Sequence, residues 1–181
     1  MTQHEYVFVA VSIILGLAIT RLLHAVAMLI RAHRQVTFHW STALWGFSIL
    51  AYSLQLWWVG WGLRAVEVWS FADFLVLICG SICIYGAAEM ALPVPEGSSL
   101  DFLRHSENLG RLSALSMLVY FLIGPYVNLT MLSEPPAILP ALGIPAIGIS
   151  ITGLIILFPA AFKPLSVAFA IYSVFIVYVT A

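Results

Sequence analysis

The sequence predicts an all-α protein, a polytopic membrane helical bundle of about six transmembrane helices. Of its 181 residues, 62% are hydrophobic and only 8% are charged, whereas a soluble domain carries about 25% charged residues. The mean hydropathy is +1.05. Because one spanning helix takes roughly 20 apolar residues, six such segments leave no room for a separate soluble domain. We therefore expect residues 1–181 to form a single transmembrane domain.

Six apolar segments follow one another with mostly short connections. Met1–Glu5 contains no Lys or Arg, and a secretory signal peptide begins with a basic region, so the first segment is predicted to be a membrane span. The second and third segments are joined by Leu63–Val68 alone, which predicts an antiparallel hairpin. The predicted helices cover about 5–31, 39–63, 68–92, 108–132, 137–158 and 163–181.

The third connection, Pro93–Glu107, is the longest. From Ser99, a plausible N-cap, it has the pattern of an amphipathic helix lying on the membrane surface. A metal or catalytic site using Asp101, His105 and Glu107 is the alternative, but the ligand spacing of a dedicated metal site is not present, so no metal is predicted.

The fifth segment combines several prolines with small residues. Proline removes backbone hydrogen bonds that lipid cannot replace, so we expect this helix to be kinked or partly unwound. Close packing through its small residues is one interpretation, and a broken helix lining a substrate site is the other. The prolines are Pro135, Pro136, Pro140 and Pro145.

Positive charges predict the orientation of the bundle. Only Arg64 lies in an even-numbered connection, and positive residues are retained on the cytoplasmic side. Both termini are therefore predicted to lie outside. Tryptophans near the Arg64 hairpin indicate an outer interfacial belt or, alternatively, a ligand platform. The residues of the odd-numbered connections are Arg31, Arg34, Arg104, Arg111 and Lys163, and the tryptophans are Trp57, Trp58, Trp61 and Trp69.

Arg21 is the most informative residue, because a guanidinium inside an apolar helix needs a counter-charge or water. Arg21 is predicted to lie in the cytoplasmic half of the first helix and Glu89 near the cytoplasmic end of the third, within reach of a long Arg side chain, and we expect the two to pair. Helical spacing places Ser12, Gly16, Thr20 and His24 on one stripe, with Arg21 beside it. We expect this stripe to point into the bundle, either as a polar cavity that binds an anion or as a structural ion pair with a satisfied histidine.

Gln55 in the second helix and Asp73 in the third are the other polar residues at membrane depth. They are predicted to approach one another near the Arg64 and Glu67 hairpin, as an outer vestibule. The alternative is that Arg64 and Glu67 are ordinary interfacial residues with no functional role.

The sequence contains no nucleophile elbow, phosphate-binding glycine loop or zinc-protease motif. The leading hypothesis is a non-enzymatic integral membrane protein that acts as an accessory subunit, scaffold or small-ligand binder in a membrane assembly. The alternative is a small transporter or channel that uses the intramembrane polar residues. The expected partners are the lipid bilayer and either another membrane protein or further copies of the chain. A net charge of −1 gives no attraction to nucleic acid, and the sequence identifies no cofactor.

The stretch Ser12–Leu23, followed by Trp40, Trp45 and the run Gln55–Trp58, resembles a widespread group of small multi-pass bacterial membrane proteins. The resemblance covers mostly the first half of the chain. It implies a bacterial inner-membrane location and a form with about six helices. No activity is established for that group, so no catalytic residue is carried over.

Overall fold

The structure is a computed structural model that describes residues 2–33, 36–66, 68–93, 100–101, 108–131 and 137–180. These residues form six long helices. With the π-helical turn Val127–Met131 that continues α4, every helix begins and ends within three residues of its predicted boundary. The helices are α1 Gln3–Arg31, α2 Trp40–Gly62, α3 Phe71–Ala91, α4 Gly110–Tyr126, α5 Ile138–Leu157 and α6 Phe162–Thr180. Short 3-10 turns cover Leu63–Ala65 and Pro159–Ala161.

Two short strands join the first and third connections. β1, Val36–Thr37, pairs in parallel with β2, Leu100–Asp101. The predicted amphipathic helix is therefore wrong at these two positions, because backbone pairing with β1 holds them extended. Ser99 and the rest of that predicted helix, including His105 and Glu107, lie outside the described residues.

Hydrogen bonds fix the direction of neighbouring helices. The His4 ring near the start of α1 bonds the Gly60 carbonyl near the end of α2 at 2.9 Å. Tyr126 at the end of α4 donates to Asp73 at the start of α3 at 2.9 Å. The start of α3 lies beside the start of α1, because the Trp69 N–H donates to Gln3. Arg111 at the start of α4 donates to the Ile156 carbonyl at the end of α5, and Phe162 at the start of α6 packs against Trp45 near the start of α2. The helices therefore alternate in direction along the chain. We call the end where α2, α4 and α6 finish the Trp61 end, and the opposite end the Glu89 end.

Among the described residues, five helical segments are long and apolar enough to cross a membrane, judged by length and composition. They are Gln3–Arg31, Phe71–Ala91, Gly110–Met131, Ile138–Leu157 and Pro159–Thr180. α2 is not among them, because its serines, aromatic residues and Gln55 lower its hydropathy, although it contains no charged residue. Nevertheless α2 packs against α1, α3 and α6, and it buries large side chains such as Trp45 and Tyr52.

α5 is one continuous helix from Ile138 to Leu157, with Pro145 inside it. The predicted unwinding is therefore not present there. Pro145 has no N–H for the carbonyl of Ala141 four residues earlier. Asn128 replaces that donor, because its Nδ2 atom lies 3.2 Å from the Ala141 oxygen. The irregular backbone is found instead in the π-helical turn after Pro125, and Pro135 and Pro136 lie outside the described residues.

Candidate functional site

Arg21 and Glu89 form the ion pair that the sequence predicts. The Nη2 atom of Arg21 lies 2.8 Å from Oε1 of Glu89, and the two side chains are 28% and 42% exposed. The pair joins α1 to α3 near the Glu89 end. Because Glu89 supplies a counter-charge at this distance, no ligand is needed to explain the Arg21 guanidinium in an apolar helix. A functional role for the pair remains a prediction.

The predicted inward orientation of the polar stripe of α1 is wrong for Thr20 and His24, whereas Ser12 and Gly16 are half-buried. Thr20 and His24 are exposed. Helix faces in a membrane are selected by packing rather than by polarity, and α1 packs its apolar row against α2 and α3 instead. The buried row is Val7, Val11, Leu15, Ala18, Leu22 and Ala25. The arrangement therefore gives no inward-facing polar cavity around His24.

Gln55 and Asp73 belong to separate hydrogen-bond networks. Tyr120 donates its hydroxyl proton to Oε1 of Gln55 at 3.2 Å. Asp73 accepts the backbone N–H of Ser70 at 2.8 Å and forms a capping box at the start of α3. Asp73 is therefore accounted for by the helix cap and its bond from Tyr126, and Glu67 lies outside the described residues.

A cavity of about 530 Å³ occupies the half of the bundle nearer the Trp61 end. Its volume is typical of a site for a small molecule. Tyr52, Tyr120 and Tyr172 line it near the middle of α2, α4 and α6, and Gln55 and Phe121 lie beside them. The cavity continues to the helix ends, where its lining includes Trp58, Trp61, Asn128, Pro140 and Thr180. Two of the four predicted interfacial tryptophans thus line the cavity.

Aromatic rings form the inner wall of the cavity. The Tyr52 ring meets the Phe121 ring edge-on, with centroids 5.3 Å apart, and the Tyr120 ring in the same geometry at 5.9 Å. Such edge-to-face pairs stabilise one arrangement of the rings. The wall is therefore shaped by packing among α2, α4 and α6 before any molecule enters.

The Tyr52 hydroxyl has no hydrogen-bond partner among the described residues, although Tyr52 is only 2% exposed. The hydroxyls of Tyr172 and Ser173 are close to it. Tyr172 donates to the carbonyl of Ile144 at 2.7 Å, and Ser173 donates to that of Phe169 at 2.7 Å. The Tyr172 and Ser173 oxygens keep lone pairs, so these two hydroxyls are the nearest acceptors for the Tyr52 proton, which is enclosed with them between α2 and α6.

A packed layer separates the cavity from the Glu89 end. Trp45 donates its Nε1 proton to Oγ of Ser113 at 2.9 Å, and Ser113 donates to the carbonyl of Ala87 at 2.8 Å. These bonds join α2, α4 and α3. The ring of Phe169 lies against Trp45 with centroids 4.5 Å apart, and Trp45, Ser113 and Phe169 are fully buried. The cavity therefore has a closed floor.

Sequence reasoning identified Gln55 but missed the three tyrosines around it. A usable signal was present, because Tyr52, Tyr120 and Tyr172 each lie near the middle of a predicted membrane helix. A phenol at that depth has no water and needs a protein or ligand partner.

No family model matches the chain, and no curated protein or solved structure matches it. The resemblance of its first half to small bacterial membrane proteins therefore stays a prediction.

Proposed function

We propose that this protein is non-enzymatic and binds a small, largely apolar molecule inside the membrane, in the cavity lined by Tyr52, Tyr120 and Tyr172. The observation that carries the proposal is the cavity itself, which has a volume of about 530 Å³ and a largely apolar, aromatic lining without a charged residue. Among the proposed roles of subunit, scaffold and ligand binder, this feature favours the last.

The closed floor favours binding over conduction. A channel or transporter that used Arg21 and Glu89 would need a path from the cavity to that pair. In the described part of the chain, Trp45, Ser113 and Phe169 are fully buried below the cavity and are not part of its lining. Opening this path would break the buried bonds that join three helices.

We also propose six membrane spans with both termini outside, in a bacterial inner membrane. α2 completes the sixth span, because α1 and α3 run in the same direction and the chain between them must cross the bundle. The described positive residues of the connections support the orientation, since Arg31, Arg111 and Lys163 lie at the Glu89 end and only Arg64 lies at the Trp61 end. The bacterial location depends on the resemblance alone.

Native mass spectrometry of gently extracted protein tests the binding proposal. We expect the wild-type chain to travel with a stoichiometric small molecule. Gly80 lines the cavity, and a Cβ there would lie 3.8 Å from Tyr120. Gly80→Leu should therefore fill part of the cavity and remove the bound mass.

Gly153→Leu is the matched control. Its Cβ would lie 3.9 Å from Leu118, almost the same spacing, but Gly153 does not line the cavity. This variant should keep the bound mass. A wild-type chain without a bound molecule, or a mass that survives Gly80→Leu in a folded protein, would contradict the proposal.

A further inference from the structure

A groove of about 470 Å³ lies between the last turns of α1 and the first half of α2. It shares no lining residue with the cavity of the proposed function, and its own lining is apolar except for His33. Several of its side chains are exposed, so the groove opens to the surroundings of the bundle. They are Leu23, Val26, Ile30, Phe38 and Phe47, between 43% and 67% exposed.

The length of α1 places one end of this groove at the headgroups of a membrane. α1 has 29 residues and is therefore about 43 Å long, which matches a bilayer of about 40–45 Å with its headgroups. Gln3 at its start accepts from Trp69, one of the interfacial tryptophans, so Arg31 at its end reaches the headgroups of the other leaflet. Ile30 beside Arg31 and Leu22, about 12 Å deeper, both line the groove. The groove therefore runs from the headgroups into the hydrocarbon.

A positive charge marks the headgroup end of the groove. Arg31 is exposed and adjoins Ile30 in the lining, and no carboxylate pairs with it among the residues that the structure describes. Glu89 at this end is paired with Arg21 instead, and no acidic residue lines the groove. His33 bonds the Ile30 carbonyl through Nδ1 at 3.1 Å. Arg31 therefore presents its guanidinium to a molecule that enters the groove.

An acyl chain with an anionic phosphate head matches both parts of this site. The chain has no hydrogen bonds to lose in an apolar groove, and a guanidinium binds phosphate oxygens through parallel N–H bonds. A partner helix matches less well, because 12 Å of helix with its side chains occupies about 900 Å³ or more. The groove can therefore enclose a hydrocarbon chain but not a helix.

We propose that this groove binds an anionic phospholipid of the leaflet at the Glu89 end. One acyl chain lies between α1 and α2, and the phosphate lies on Arg31. With the proposed orientation of the bundle, this is the cytoplasmic leaflet. The site is separate from the cavity of the proposed function and does not depend on it.

Native mass spectrometry of the full chain in a neutral detergent tests the headgroup part. The probes are palmitoyl-oleoyl phosphatidylglycerol and the phosphatidylcholine with the same chains, and the affinity of the first bound lipid is measured. We expect phosphatidylglycerol to bind about fivefold more tightly, the effect of one cation beside an anionic headgroup. Arg31→Gln should lower this preference to less than about twofold.

Lys163→Gln is the matched control for Arg31→Gln. Lys163 is an exposed cation at the same end of the bundle, and it does not line the groove. Its replacement should keep the preference for phosphatidylglycerol.

Ala43→Leu tests the acyl part of the site. Ala43 is half-buried and lines the groove, so the larger side chain should weaken the binding of both lipids by about fourfold or more, the effect of displacing one methylene group or more. Ala51→Leu is the matched control, because Ala51 is also a half-buried residue of α2 but lies outside the lining. Gly80→Leu, which fills the other cavity, should leave lipid binding unchanged.

Several outcomes would overturn this inference. Equal affinities of the two lipids for the wild type, or equal effects of Arg31→Gln and Lys163→Gln, would show that Arg31 does not recognise the headgroup. Unchanged lipid binding by Ala43→Leu, with a wild-type circular dichroism spectrum, would show that the chain lies elsewhere. Loss of the lipid in Gly80→Leu would place it in the other cavity, and a bound polypeptide that phosphatidylglycerol does not displace from the groove would assign the groove to a protein.

Discussion

Ser113→Ala should destabilise the bundle, because Ser113 is the middle of the buried hydrogen-bond chain that closes the cavity. Its Oγ atom accepts from Trp45 and donates to the Ala87 carbonyl, at 2.9 and 2.8 Å. The substitution removes one oxygen and little volume. It leaves the Trp45 N–H buried without an acceptor, and Trp45 is 0% exposed.

The expected loss of unfolding free energy is about 1–3 kcal/mol, the cost of a buried donor left unpaired. Helix-to-helix hydrogen bonds in membranes average about 0.6 kcal/mol with a maximum of about 1.7, so two broken bonds give a similar range. Ser53→Ala is the matched control. Ser53 is equally buried but bonds only to the carbonyl of Ile49 in its own helix, at 3.0 Å, and its loss should stay within about 0.5 kcal/mol.

Reversible unfolding by sodium dodecyl sulfate in mixed micelles, followed by circular dichroism, measures the difference. Trp45→Phe made on top of Ser113→Ala should add less than the same substitution in the wild type, because the bond is already lost. Equal destabilisation by Ser113→Ala and Ser53→Ala, or additive effects of the two substitutions in the double variant, would refute this account of the floor.

Two further predictions use the same unfolding assay. A Cβ at Gly60 would overlap the ring of Phe8, whereas a Cβ at Gly62 has no atom within 4 Å. Gly60→Ala should therefore lower the free energy of unfolding by about 1–3 kcal/mol through overpacking, and Gly62→Ala should not. Equal losses in the two variants would contradict the packing of α1 on α2. Asn128→Leu should lower the free energy of unfolding by about 0.5–1.5 kcal/mol, because it removes the donor to the α5 carbonyl. Adding Pro145→Ala to this variant should restore part of the lost stability, because alanine supplies a backbone N–H. If stability is not restored, the Asn128 bond does not compensate for the proline.

Most helix boundaries could be predicted to within three residues from local sequence patterns. Capping boxes at Thr2 and Ser70 begin α1 and α3, and both are short-range arrangements of neighbouring residues. The Arg21 and Glu89 pair was predictable as well, because depth along a helix follows from residue number once the spans are placed. The rotation of each helix about its own axis was not predictable in this way, and the prediction placed His24 on the wrong side of α1.

The sequence by itself determined that the chain is helical and apolar enough for membrane spans, because length and hydropathy are sums over residues near one another in the chain. Only the tertiary structure decided which faces meet. Tyr52, Tyr120 and Tyr172 come from three helices far apart in sequence, and whether their hydroxyls find acceptors depends on how those helices are rotated against one another. The cavity and its unpaired hydroxyl follow from that packing, which no local pattern specifies.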